Sequence, residues 1–303
     1  ANFLAGAKGA PILLTDSSDV LPTATQGALT KVLKDVTGTV TIYIAGKTDS
    51  VSAAAEAQAK FLAEAAANAA ATVKVVRFDG ANRYETSAKI VTEAGSAAIR
   101  SFDLGNGLLK TAFLASGAVN ADALAAGSLS AGAGLPVLLA GTTGVDPAVV
   151  KAIKDLGVKQ LIVLGGSDRI TDAVADGLKT DAGITSWTRI AGEGTYGRYD
   201  TASLLYTTAF AKTADKGLGL ILVNATAYLA NGSIGFPDAL AVGPLAGKGG
   251  VVNPLLTVPQ DKLTDSTAKF LKDNKDGINS VEALGKNDRI ADSVVTDAQK
   301  AIL

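Results

Sequence analysis

"IVLGGSDRIT", residues 162–171, occurs in two other versions: "YIAGKTDSVS" at 43–52 and "EALGKNDRIA" at 282–291. Each places a glycine first (Gly46, Gly165, Gly285), an aspartate three residues later (Asp49, Asp168, Asp288) and an aliphatic residue two beyond that (Val51, Ile170, Ile290). Upstream of each lies a pentapeptide of helical character: "KVLKD" at 31–35, "KAIKD" at 151–155 and "KFLKD" at 269–273. Further upstream come "PILLT" at 11–15, "PVLLA" at 136–140 and "PLLTV" at 254–258. The period of roughly 120 residues is too long for a solenoid and suits a small domain.

Two further elements occur only twice. "RFDGANRYETSA" (77–88) is matched by "RIAGEGTYGRYDTA" (189–202), and "NADALAAGSL" (120–129) by "FPDALAVGPL" (236–245). The first repeat has neither, and its opening aligns with the residues just after "DALA" in the others. The expected domains are therefore 1–72, 73–184 and 185–303, with the first half of repeat one missing. That half is expected from a preceding segment cut away or from a second chain.

Local patterning gives the fold class. Residues 72–80, 111–117, 135–141 and 159–166 read as short apolar strands. Residues 84–94, 121–134, 146–157 and 171–179 read as helices. Asp146 as N-cap, Pro147 at the first helical position and Gly157 beyond the end mark one helix sharply. Pro136 sits at a strand start, where no ladder donor is needed. Strands alternating with helices predict α/β units: small, doubly wound parallel sheets of four strands each, packed together as a trimer-like array. "PILLT" is expected as a buried strand.

Composition narrows the function. The 303 residues hold no Cys, His or Met and carry a net charge of −1. Disulfides, thiolate chemistry and Cys- or His-ligated metals are excluded, as is a Ser-His-Asp triad. The near-neutral charge gives no overall field for nucleic acid. Mean hydropathy is +0.28, yet no apolar run reaches 18 residues, so no membrane span is expected. The small-residue composition suits an exported protein.

Gly192-x-Gly194-x-x-Gly197 has the spacing of a dinucleotide-binding turn, but the sister repeat reads only Gly80-Ala81-Asn82-Arg83. The second and third glycines belong to a three-residue insertion. The strand expected next, residues 218–223, is followed by Asn224 where an acidic ribose ligand is required. The spacing therefore argues against a nucleotide site. No cofactor and no metal site are expected.

Recurring polar residues fall beyond the carboxyl ends of the expected strands, where α/β sheets bind ligands. They are Arg83, Tyr84, Thr86 and Asp122, with equivalents Arg198, Tyr199, Thr201 and Asp238, and the Asp168-Arg169 and Asp288-Arg289 pairs. An arginine fork grips anions and a tyrosine face stacks on sugars. The same residues also suit structural work: the aspartates as helix caps, the arginines as their partners, the tyrosines as core.

The ordered set R-x-x-G-x-x-R-Y-x-T-x-A, "FPDAL", "PILLT" and a strand ending in "LGG" resembles the clostridial-type cell-wall-binding repeat, type 2, over essentially the whole chain. The resemblance implies three α/β domains around a pseudo-threefold axis in a secreted protein of the Gram-positive cell wall or S-layer. It implies non-covalent anchoring to an anionic secondary cell-wall polymer, a teichoic-acid-like glycan, without catalysis. It carries polymer binding onto Arg83, Tyr84, Thr86, Asp122, Arg198, Tyr199, Thr201 and Asp238, and onto Ile12, Leu13 and Leu14 of "PILLT". The sequence departs from the pattern at Asn120-Ala121, where the family has Phe-Pro. A nucleotide- or sugar-processing enzyme, and an S-layer lattice protein making only protein contacts, are the alternatives.

Overall fold

The computed structural model describes residues 1–234 and 236–303. In chain order it contains α1 (Asn2–Lys8), α2 (Thr23–Leu33), β1 (Thr39–Ala45), α3 (Ala53–Ala66), β2 (Thr72–Phe78), α4 (Arg83–Ala94), β3 (Ser101–Asp103) and β4 (Leu108–Ser116). There follow α5 (Ala121–Ala125), α6 (Gly127–Gly132), β5 (Val137–Ala140), α7 (Pro147–Leu156), β6 (Gln160–Leu164), α8 (Asp172–Asp181), β7 (Ser186–Ile190) and α9 (Gly197–Phe210). The last are β8 (Ala225–Asn231), α10 (Phe236–Ala246), β9 (Leu255–Val258), α11 (Asp265–Asp273), β10 (Ile278–Ala283) and α12 (Asp292–Ala301). The chain divides into a small unit, Leu13–Ile90, and a large one made of Ala1–Ile12 and Val91–Leu303.

The fold is α/β with parallel sheets built from repeated units. In the large unit β4 lies between β5 and β6, β7 edges β6, and all these pairs are parallel; β3 adds a short antiparallel pairing at the start of β4. A second parallel sheet runs β9–β8–β10. The small unit has one parallel pair, β1 and β2. The helix punctuation works as the residues dictate. Asp146 accepts from the Ala148 amide at 2.9 Å, and Gly157 closes α7 in the left-handed region at φ 71.

Among the described residues the sheets hold two, five and three strands, where four apiece were expected. The reason is an exchange along the chain. β2 opens repeat two yet edges the sheet of repeat one, and β7 opens repeat three yet edges that of repeat two. Three other expectations change. Residues 11–15 form no strand, because the strands that pair with β5 and β9 are β4 and β8, and repeat one has no counterpart of either in this sequence. Residues 218–223 are not a strand: Gly219 and Asn224 take φ 66 and 50, Ile221 is 81% exposed, and the strand begins at Ala225. The helix expected over 121–134 splits at Ala126 into α5 and α6.

In the large unit α1, α6 and α10, one helix from each repeat, meet through small residues. A Cβ on Gly132 would lie 2.5 Å from the Val251 carbonyl and 2.9 Å from Gly247 Cα, so backbone packs on backbone. A Cβ on Gly127 would lie 3.1 Å from the Asn2 amide nitrogen and 3.5 Å from Gly243 Cα. The core runs through Phe113, Leu129, Leu135, Tyr206, Leu255 and Phe270, joining repeats two and three in one cluster. Tyr206 satisfies its buried hydroxyl by donating to the Ala125 carbonyl at 2.7 Å and sharing a hydrogen bond with Ser128 at 2.6 Å. In the small unit Leu21, Ala55 and Ala59 form one buried cluster, and Val40, Ile44, Ala63 and Phe78 are buried as well.

Candidate functional site

The site grows from the loop that follows β6. Gly165 has φ 90, and a Cβ there would lie 2.5 Å from Asp122 Oδ2, so only glycine lets the carboxylate rest on this turn. Gly285 repeats the arrangement after β10: φ is 93 and a Cβ would lie 2.8 Å from Asp238 Oδ2. A half-buried guanidinium clamps the first loop from outside. Arg189 on β7 donates to the Gly165 and Ile170 carbonyls at 2.7 Å each, and to Asp172 at 2.7 Å. In the small unit Arg77 on β2 does the same for the loop after β1, donating to the Gly46 carbonyl at 2.9 Å and to Glu56 at 2.8 Å.

The glycines that suggested a nucleotide turn belong to this scaffold. The Gly192 amide donates to Thr201 Oγ1 at 3.0 Å, and the Thr201 hydroxyl donates to the Gly197 carbonyl at 2.9 Å. A Cβ on Gly192 would overlap the first turn of α9, and one on Gly80 the first turn of α4. The first glycine thus lets the turn pack onto its own helix. The insertion forms a single 3-10 turn, Gly194–Tyr196, that presents Tyr196.

Asp122 is 3% exposed and does not cap α5; its Oδ1 has no hydrogen-bond partner among the described residues. Burial pushes its carboxyl above the ordinary aspartate range, while Thr201 and the guanidinium groups of Arg169 and Arg198 hold it down in part. Tyr199, next to Arg198 on α9, packs on Gly232 just past the end of β8. Burial also raises the Tyr199 phenol. The Tyr196 ring lies 6.3 Å from that of Tyr199, and Lys262 Nζ sits 4.8 Å over Tyr196. The result is a rim of Arg169, Arg198 and Lys262 set among two tyrosines, above the carboxyl ends of parallel strands.

The cell wall binding domain 2 model matches residues 77–175 and 189–295, more than half of the chain. The chain belongs to that family. As a cell-wall-binding chain it is 29% identical over 245 residues to the N-acetylmuramoyl-L-alanine amidase LytC of Bacillus subtilis, covering 81% of this chain and 40% of the amidase. Its fold matches Cwp8 from Clostridium difficile with TM-score 0.73 at 24% identity, over 99% of this chain and 44% of Cwp8. It matches Cwp6 from the same organism with TM-score 0.76 at 22% identity, over 99% of this chain and 41% of Cwp6. The chain therefore spans under half the length of these relatives.

Of the residues singled out from sequence, the structure brings together Asp122, Arg169, Arg198, Tyr199 and Thr201 in the large unit. Asp238 lies beside Gly285 and Arg289. Arg83, Tyr84 and Thr86 open α4, where Thr86 repeats the bond of Thr201 by donating to the Asn82 carbonyl at 3.0 Å. Ile12, Leu13 and Leu14 are half-buried and outside any sheet. Tyr196 and Lys262 escaped the sequence reading because neither has an equivalent in the sister repeat, which was the signal used. Among the described residues no helix is long and apolar enough to cross a membrane, and no group of three or more acidic side chains could hold a metal.

Proposed function

We propose that this cell-wall-binding chain holds its parent protein at the outside of the cell by gripping an anionic secondary cell-wall polymer non-covalently, without transforming it. One observation carries the reading: Arg169, Arg198 and Lys262 stand around Tyr196 and Tyr199 above the buried Asp122. Guanidinium and ammonium groups pair with phosphate or carboxylate along a polymer, and tyrosine faces stack on its sugar rings. Binding fits these residues better than turnover, because the chain lacks histidine and cysteine and Asp122 is hemmed in by arginines. Arg83, Tyr84 and Thr86 on α4, and Ile12, Leu13 and Leu14, are proposed as further contacts. A secreted wall or S-layer protein is the setting that follows.

The test is retention on purified Gram-positive walls before and after hydrofluoric acid removes the secondary polymer. The full chain is expected to bind intact walls and to be lost from stripped ones. Arg198→Ala with Lys262→Ala is expected to weaken binding about tenfold, with a shallower salt dependence. Undiminished retention on stripped walls overturns the reading.

A further inference from the structure

The dipeptide Asn-Gly occurs twice in the chain, at 106–107 and 231–232, and the fold treats the two copies in opposite ways. Asn231 is 2% exposed. Its side-chain amide donates to the Arg289 carbonyl at 2.7 Å, and its Oδ1 accepts from the Ser233 and Ile234 amides at 2.8 Å each. The Gly232 amide donates to the Val258 carbonyl at 3.2 Å, and Tyr199 and Thr257 close over that glycine. Both the carboxamide and the amide that follows it are engaged.

Asn106 stands in the loop that joins β3 to β4, exposed like Gly105 and Gly107 on either side of it. Both glycines have left-handed backbone, at φ 96 and 80, and nothing lies within 4 Å of where a Cβ on Gly107 would stand. Across the loop Asp103 Oδ1 accepts the Gly105 amide at 2.8 Å and the Gly107 amide at 2.9 Å. The second bond sets a carboxylate on the very N–H whose proton must leave before the Gly107 nitrogen can act as a nucleophile. Lys216 passes the same turn, its Cε 3.7 Å from the Cβ position of Gly105.

We propose that Asn106 is a self-modifying site, at which the folded chain converts its own asparagine to aspartate and isoaspartate with Asp103 as the general base. Asp103 takes the Gly107 amide proton. The Gly107 nitrogen bonds to Asn106 Cγ, the bond from Cγ to the side-chain nitrogen breaks, and that nitrogen leaves with the proton as ammonia. Solvent water then opens the cyclic imide. Attack at Cγ gives aspartate, and attack at the backbone carbonyl carbon of Asn106 gives isoaspartate. Either product adds a negative charge beside Asp103. Isoaspartate also inserts a methylene into the main chain of a hairpin held by only the pairs Ser101↔Lys110, Phe102↔Leu109 and Asp103↔Leu108. The substrate is the chain itself and the co-reactant is water, so the inference is independent of the wall polymer.

The experiment incubates the full chain at mildly alkaline pH, folded and in urea, and maps its peptides by mass spectrometry with fragmentation that separates isoaspartate from aspartate. The peptide carrying Asn106 is expected to gain one mass unit about tenfold faster in the folded chain than in urea, because only the fold sets Asp103 on the Gly107 amide. The peptide carrying Asn231 is expected to change in urea alone. Asp103→Asn is expected to slow the folded reaction about tenfold. Three outcomes overturn the proposal: slower conversion of Asn106 in the folded chain than in urea, conversion of Asn231 in the folded chain at a matching pace, or an unchanged rate in Asp103→Asn. The first two need no variant, so they hold whether or not Asp103→Asn keeps its loop.

Discussion

The pentapeptides "KVLKD" at 31–35 and "KFLKD" at 269–273 have the same pattern and opposite surroundings. In the large unit Phe270 and Leu271 are 2% and 0% exposed; in the small unit Val32 is 48% exposed and α2 buries no residue. The difference lies in the sheet beneath. α11 belongs to a repeat whose central strand, β8, has neighbours on both sides, while the small unit has only β1 and β2. An amphipathic pattern makes a helix with an apolar face, but burial of that face needs a layer to receive it.

The largest expected contrast is at these helices. Leu271→Ala should cost about 2–5 kcal/mol, because a fully buried leucine leaves a cavity, whereas Leu33→Ala should cost under about 1 kcal/mol. Urea unfolding of both variants, read with probes in each unit, checks this; equal losses would break the comparison. Next come the helical glycines. Gly132→Ala should destabilise by about 1–3 kcal/mol because its Cβ meets backbone. Gly27→Ala in α2 should stabilise by about 0.5–1 kcal/mol, since nothing lies within 4 Å of that Cβ and alanine is the better helix former. Thermal melts decide the signs.

The smallest effect is at Asp122, and it sharpens the comparison with its more exposed sister Asp238. Burial raises the Asp122 carboxyl above its ordinary value of 3.8, so the folded chain binds protons the unfolded chain has already released. That contribution is fully present below pH 3.8 and is lost as pH rises through the folded value. Asp122→Asn should flatten the decline across that window and leave stability near pH 3 unchanged; urea midpoints from pH 3 to 7 measure it. An unchanged slope would show that Asp122 is not the titrating group.

Much of the fold was legible because the sequence carries its own controls. The helix of residues 146–157 followed from Asp146, Pro147 and Gly157, and the strand of 159–166 from an apolar run repeated elsewhere. Misreadings came where a local pattern needed a distant partner. "PILLT" has the residues of β5 but no strand beside it to bond. "LGLILV" is as apolar as a strand, yet left-handed backbone at Gly219 and Asn224 breaks it out of the ladder. Most of the site was visible as recurrence, in Asp122, Arg169, Arg198, Tyr199 and Thr201. Tyr196 and Lys262 were not, because an insertion and a loop bring them together only in space.

The sequence by itself determined the repeated unit, its alternation of strand and helix, the family, and the loop glycines, since these depend on local sterics and on residues near one another in the chain. Tertiary structure alone decided that repeats two and three lend their first strands to the sheets of repeats one and two. It also decided that Asp122 of one repeat lies beside arginines from its own and the next. Hydrogen bonding between strands and the desolvation of a carboxylate depend on which segments meet in space, and chain order does not state that.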